Sequence, residues 1–155
     1  MLNYYKHLLG SHTKHRKRID HAVIAQGPAL SMEQQICVCK DFSDREIKEV
    51  IFSIPNTKSP GLDGFSSGFF KSSWKLIGLI ICATVKHFFK IGDLPSKVSN
   101  IKLVVLPKTP HLQTASEFRS ILCCNVIYKC ISKLLCQRIK EVLSSIISPM
   151  FNAKL

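Results

Sequence analysis

The sequence predicts a helix-rich α+β fold with one short β-hairpin, and three observations support that prediction. A capping box at Ser43–Glu46 introduces apolar residues at helical spacing. A second apolar pattern predicts a longer helix from about Gly68 to Ile91. Residues Ile101–Leu106 are short, β-branched and closed by Pro107, which predicts a strand. With 155 residues and 46% hydrophobic content, the chain can form one domain with a core, or a piece of a larger protein.

We expect residues 1–40 to form a lead-in segment rather than a packed unit, and residues 41–155 to form the folded part. In the lead-in, the spacing of Tyr4, Tyr5, Leu8 and Leu9 predicts one or two helical turns, and a short basic run follows from Lys14 to Arg18. Gly27-Pro28 breaks the chain, and Ser31 starts a brief helix.

The folded part begins with the helix that the capping box introduces, and Pro55 stops it. Its apolar stripe consists of Ile47, Val50, Ile51 and Ile54. The longer helix is ended by Gly92 and Pro95. Its apolar face consists of Phe70, Trp74, Ile77, Ile81, Val85 and Phe88.

After the strand, Phe118–Leu122 predicts the returning arm of a hairpin, and Asn125 predicts the start of a last helix that runs to about Ser145. Pro149 follows this helix. Its stripe consists of Ile127, Ile131, Leu134, the stem of Arg138, Val142 and Ile146. Lys129, Lys133 and Lys140 lie largely off that stripe.

The segment from Lys58 to Phe65 predicts a doubly turned loop beside a cation. Pro60 suits the second position of a tight turn, Gly61 suits the positive φ that a type II turn requires, and Asp63-Gly64 offers a second turn. Such a loop exposes backbone N–H groups beside the Lys58 ammonium, which suits a phosphate. The alternative is a surface turn with a solvated lysine.

Composition favours a polyanionic partner. The net charge is +12, and thirteen basic residues against three acidic ones lie from Phe65 onward. The apolar run from Leu76 to Val85 is too short to cross a bilayer, and the N-terminus lacks the apolar core of a secretory signal. We therefore expect an intracellular protein that does not associate with a membrane and that lies in the nucleus or the cytoplasm. Seven cysteines in patterns without paired metal-ligand spacing predict neither a disulfide framework nor a zinc site.

Lys108 at the exit of the strand and Arg119 on the returning arm suggest, with the basic turn, a converging cationic pocket. Lysine acts as a point charge, and arginine grips phosphate oxygens bidentately. A triphosphate or a nucleic-acid backbone suits that pair. The alternative is two solvated cations at the ends of a hairpin.

Several blocks together resemble a known family. They are Tyr4–Ser11, Phe52–Pro55, Lys58–Phe65, Gly68–Lys71, Leu103–Lys108, Phe118–Ile121 and Cys123–Lys133. In their order and spacing, through almost the whole chain, they resemble the start of the reverse transcriptase domain of plant LINE-type (non-LTR) retrotransposons. Leu62 and Ser120 depart from it, because the family usually has proline at both positions.

The resemblance implies an incomplete right-hand polymerase, with the fingers and the start of the palm. It implies that Lys108 and Arg119 hold the triphosphate of the incoming deoxynucleotide. It also implies that the turn with Lys58, Pro60, Gly61, Asp63 and Gly64 lies near an RNA or DNA template.

The carboxylates of the polymerase reaction are absent from this sequence. Two-metal phosphoryl transfer needs them to hold Mg²⁺ in the complete enzyme, but no Asp follows Asp93 and no two carboxylates are adjacent. We therefore expect a truncated, non-catalytic copy that lacks its palm region and has no cofactor of its own. The alternatives are a basic nucleic-acid-binding module and a non-functional remnant with exposed apolar faces.

Overall fold

The structure is a computed structural model that describes residues 21–110 and 114–147, together with residues 3, 6 and 7. Tyr4, Tyr5, Leu8, Leu9, the run from Lys14 to Arg18, and Pro149 lie outside the described residues. The chain divides into two compact units. The first contains the described residues up to Gly27 and those between Val104 and Ile121, and the second contains Pro28–Leu103 and the described residues from Leu122 to Ile147.

Helices dominate the described residues. In chain order they are α1 (His21–Ala25), α2 (Met32–Cys39), α3 (Asp44–Ser53), α4 (Ser67–Ser72), α5 (Trp74–Ile91), α6 (Ser96–Ser99) and α7 (Val126–Ile146). Strands β1 (Lys102–Pro107) and β2 (Phe118–Cys123) form a two-stranded sheet, and a 3₁₀ turn at Ala115–Glu117 precedes β2. Within the described residues, no helix has the length and apolar character needed to span a membrane.

Helix α3 begins as the sequence predicts. The Ser43 hydroxyl accepts the Glu46 amide at 3.2 Å, and the Glu46 carboxylate accepts the Ser43 amide at 2.8 Å. These reciprocal bonds satisfy amides that a helix N-terminus otherwise leaves unpaired. The brief helix predicted at Ser31 is also observed, because Ser31 caps α2 through a second reciprocal box with Gln34.

The core of the second unit lies where α3, α5 and α7 pack together. Its fully buried side chains include Ile47 and Ile51 of α3, Val85 of α5, and Cys130 and Leu134 of α7. Burial of each large aliphatic side chain contributes about 1.5–3 kcal/mol. Burial also raises the pKa of the Cys130 thiol to about 12, so this cysteine behaves as a small apolar residue.

The prediction of one continuous helix from Gly68 to Ile91 is wrong, because the helix breaks at Ser73. Ser73 leaves helical geometry with φ −88° and ψ 7°, so α4 ends before α5 begins. The Ser72 hydroxyl donates to the Phe69 carbonyl at 3.0 Å. Serine hydroxyls that bond the local backbone compete with the helical pattern. The predicted apolar face is otherwise right, since Phe70, Ile81 and Val85 are buried.

Arg138 joins three segments of the second unit. Its guanidinium donates to the carbonyls of Cys37 and Lys40, both at 2.8 Å, and to the Glu46 carboxylate at 2.9 Å. It also lies 4.2 Å from the centre of the Phe42 ring. The sequence predicts only that the stem of Arg138 is buried, whereas the whole residue is 7% exposed. A buried arginine of this kind requires such partners.

The hairpin follows the predicted arms. The Lys108 amide donates to the Glu117 carbonyl at 2.9 Å, and the paired strands place Leu106 opposite Arg119. Leu103, Leu106, Ile121 and Leu122 of the hairpin are exposed, whereas Val104, Val105 and Phe118 are half-buried.

Replacing Glu46 with Gln is expected to destabilise the protein at about pH 7 and to have little effect near pH 2. Hydrogen bonds from the Ser43 backbone and hydroxyl, and then from Arg138, lower the pKa of Glu46 to about 2. A lowered folded-state pKa gives stability that is complete above the unfolded pKa of about 4.3 and is lost as the pH falls through the folded value.

Urea unfolding across that pH range measures the effect. Glu49→Gln is the matched control, because Glu49 is an exposed helical glutamate paired with exposed Arg45 at 2.8 Å. A difference between wild type and Glu46→Gln that stayed constant down to about pH 2 would contradict the prediction.

Candidate nucleic-acid interface

Two tight turns form the loop that follows α3. The Lys58 amide donates to the Pro55 carbonyl at 3.1 Å, and the Gly64 amide donates to the Gly61 carbonyl at 3.2 Å. The Phe65 amide then donates to the Asp63 carboxylate at 3.1 Å. The two turns therefore span Pro55–Lys58 and Gly61–Gly64, and the predicted turn with Pro60 at its second position is not observed. The three amides are already used inside the loop. Phosphate binding here would depend on ammonium groups rather than on those amides.

The prediction of a positive φ at Gly61 is wrong. Among the described residues, positive φ occurs at Gly64 (75°) and Gly92 (83°). Gly61 is buried against Asn125, and a Cβ on it would lie 1.8 Å from the Asn125 Oδ1 atom and 2.5 Å from its amide nitrogen. Glycine is required at position 61 by this close approach.

Asn125 starts α7 as predicted, but its side chain makes no capping bond to that helix. Instead, its Nδ2 atom donates to the Lys97 carbonyl at 2.9 Å, which ties α7 to α6. Its buried Oδ1 atom, which faces Gly61, has no hydrogen-bond partner within the described part of the chain. Asn125 therefore holds the loop, α6 and α7 together.

Three lysines from α4 and α7 converge on the chain between Ser53 and Ser59. Lys71 donates to the Ile54 carbonyl at 2.6 Å and to the Asn56 side chain at 2.8 Å. Lys133 donates to the Ser53 hydroxyl at 2.7 Å, and Lys129 donates to the Ser59 carbonyl. With Lys58 in the loop itself, these residues form a group that we name the lysine cluster: Lys58, Lys71, Lys129 and Lys133.

The end of α3 explains why like charges gather here. The last carbonyls of a helix lack intrahelical partners and carry partial negative charge, so cations stabilise this end. Lys129 and Lys133 are four residues apart and therefore share one face of α7. That spacing was the available signal in the sequence, but only the fold connects it with the loop.

The lysine cluster keeps hydrogen-bonding capacity for a ligand. An ammonium group has three N–H donors, and the structure uses two on Lys71 and one each on Lys129 and Lys133. Lys58 is exposed and makes no side-chain bond within the described residues. Asp63 is the sole acid between Glu49 and Asp93 in the sequence. The cluster is therefore electropositive and can receive phosphate oxygens.

The other predicted template residues lie in the same loop. Pro60, Asp63 and Gly64 are exposed. Asp63 serves the turn, since its carboxylate accepts the Phe65 amide. Phosphate would be repelled by that carboxylate, so we expect any contribution of Asp63 to come through loop geometry.

Lys108 and Arg119 lie on the hairpin of the first unit. The Lys108 ammonium donates to the Ser116 carbonyl at 2.8 Å, across the turn of the hairpin. Arg119 is exposed, and its guanidinium has no hydrogen bond or ion pair within the part of the chain described. Lys108 directly follows β1 and Arg119 is the second residue of β2, so both lie towards the turn end of the hairpin.

Metal ligands are not grouped in the described ranges, because residues 21–110 and 114–147 contain no cluster of three His, Cys, Asp or Glu side chains placed to hold an ion. The described cysteines are free thiols. The lysine and arginine side chains described above offer the binding of anions.

No family model matches this chain. A comparison with known proteins finds 32% identity over 104 residues with the protein named "Transposon TX1 uncharacterized 149 kDa protein" of Xenopus laevis. The aligned segment covers 67% of this chain and spans 8% of the length of that relative. The chain is therefore similar to a small part of a transposon protein.

Replacing Gly61 with Ala is expected to lower the free energy of unfolding by about 3 kcal/mol, because the added methyl group overlaps Asn125 and the backbone must shift. Gly64→Asn is the matched control, since position 64 has open space and asparagine tolerates positive φ. Thermal or urea unfolding measures both. Equal losses for the two variants would contradict the assigned role of Gly61.

Proposed function

We propose that this chain is part of the reverse transcriptase domain of a LINE-type (non-LTR) retrotransposon, of the kind found in plants. Its described residues then belong to the fingers and to the edge of the palm. The similarity to a transposon protein supports this proposal, as does the ordered series of blocks in the sequence. The observation that carries it is the lysine cluster beside the Lys58–Phe65 loop, whose remaining N–H donors would contact the phosphate backbone of a template.

The lysine cluster would bind the template without reading its sequence. Lysine contacts to phosphate position a nucleic acid, whereas contacts to base edges specify it. Since Lys71, Lys129 and Lys133 are already fixed by the loop, they lose less side-chain entropy on binding than free lysines would.

The hairpin would hold the incoming nucleotide. Lys108 is positioned by the Ser116 carbonyl, and Arg119 remains available for a bidentate contact with phosphate oxygens. The Mg²⁺ ions of the family reaction require convergent carboxylates, and the described residues do not group them. These residues therefore serve binding, and no chemical step is assigned to them.

A second candidate function, a remnant without activity, is favoured by one observation. Helix α5 exposes Leu76 (84%), Leu79 (82%) and Ile80 (67%) on one side. An exposed apolar face of this kind promotes association in water. Nucleic-acid binding that weakens with salt would favour the template-binding proposal over this candidate.

Replacing Lys58 and Lys133 together with Gln is expected to lower the affinity for single-stranded RNA and to reduce its salt dependence. Each lost phosphate contact on a single strand reduces the magnitude of the slope of log K against log salt by about 0.7, so the loss of both contacts should reduce it by about 1.4. Fluorescence anisotropy over a salt series measures both quantities.

The matched control for that experiment is Lys90→Gln. Lys90 lies beside Asp41 and Phe42, at the start of α3, whereas the cluster surrounds its end. The template proposal would be wrong if the double variant kept the wild-type slope, or if Lys90→Gln reduced it equally.

Replacing Arg119 with Lys is expected to weaken deoxynucleotide triphosphate binding about ten-fold, because lysine keeps the charge but loses the bidentate contact. Arg119→Ala should weaken it further, by about ten- to a hundred-fold. Titration of a fluorescent nucleotide measures the affinities, and Lys102→Ala at the other end of β1 is the control. An unchanged affinity in Arg119→Ala would remove the nucleotide site.

A further inference from the structure

Two phenylalanine rings lie exposed and stacked directly after the basic loop. Phe65 is 47% exposed and Phe69 is 41% exposed. Their ring centres are 4.5 Å apart, with an angle of 29° between the planes. Neither ring belongs to the apolar face that the sequence predicts for the following helix, whereas Phe70 belongs to it and is buried.

The two rings are held in place by Phe70 and by the backbone to which each ring is attached. Phe70 is 6% exposed and meets Phe69 edge-on at 5.5 Å and Phe65 edge-on at 6.4 Å. The backbone of Phe65 is fixed by the bond from its amide to Asp63, and Phe69 belongs to α4. The two rings therefore form a supported aromatic surface rather than two independent side chains.

Cations lie on the same elements as the rings. Phe65 is the last residue of the Lys58–Phe65 loop, which contains Lys58. Helix α4 contains Phe69 and also Lys71, a member of the lysine cluster. Proteins that bind single strands combine a basic path for the backbone with aromatic rings on which bases stack.

We propose that Phe65 and Phe69 form a stacking platform for an unpaired base of a single-stranded nucleic acid whose phosphates contact the lysine cluster. This inference rests on the proposed function and adds what the site recognises, namely an unstacked base. Bases inside a duplex are already stacked and paired, so the platform favours a single strand over a duplex.

The test compares the wild-type chain with Phe65→Leu/Phe69→Leu, which keeps an apolar surface but removes both ring faces. We expect the affinity for a short single-stranded RNA to fall about ten-fold, with an unchanged salt slope. An abasic strand of the same length should bind wild type and variant equally. Phe69→Trp should keep the wild-type affinity.

Phe52→Leu is the matched control. Phe52 is 43% exposed, but it meets Trp74 edge-on at 5.7 Å and has the Lys48 ammonium over its ring at 5.6 Å. Its face is therefore occupied, and we expect its replacement to leave RNA affinity unchanged.

A second measurement does not depend on the folding of any variant. A strand containing 2-aminopurine should lose fluorescence when it binds the wild-type chain, because stacking on a ring quenches that base. Absence of quenching at saturation would overturn the platform, as would equal binding of intact and abasic strands by wild type. Either result would leave the lysine-dependent salt slope intact, so failure of the platform is distinguishable from failure of template binding.

Discussion

The second unit depends on the buried guanidinium of Arg138. A single Glu46 carboxylate accepts Ser43 through one oxygen, which starts α3, and accepts Arg138 of α7 through the other. The same guanidinium binds the carbonyls of Cys37 and Lys40, so the end of α2 is fixed as well. Because Arg138 is buried, the loss of any partner would leave polar groups unpaired away from water. The register of α3 against α7 follows from this constraint.

That register brings the cations together at the other end of α3. Lys129 and Lys133 lie on the N-terminal half of α7, and they reach the chain just after α3 because Arg138 holds the start of α3 farther along the same helix. The carbonyls there offset part of the repulsion among the lysines. Asn125, the residue directly before α7, packs against Gly61 and so fixes the loop to the start of that helix. The candidate site is thus a consequence of helix packing rather than of a local motif.

The sequence predicted those features that depend on near neighbours. The capping box at Ser43, the stripe on α3, both arms of the hairpin and the start of α7 at Asn125 all follow from patterns a few residues long. The break at Ser73 was missed because Phe70 and Trp74 keep helical spacing across it. The reason for Gly61 was missed because Asn125 lies 64 positions later in the chain. Contacts between residues so far apart in the chain do not change the local spacing of apolar residues.

Basic residues on one helix can differ in whether they are free to bind a ligand, and α7 contains both kinds. A charge count treats Lys129, Lys133 and Arg138 alike. Arg138 directs its guanidinium to two carbonyls, one carboxylate and one ring, and is buried. The two lysines use one donor each and remain partly exposed. Only charges that can still meet phosphate release counterions on binding. The lysines therefore contribute to the attraction for nucleic acid, whereas Arg138 contributes to the fold that places them.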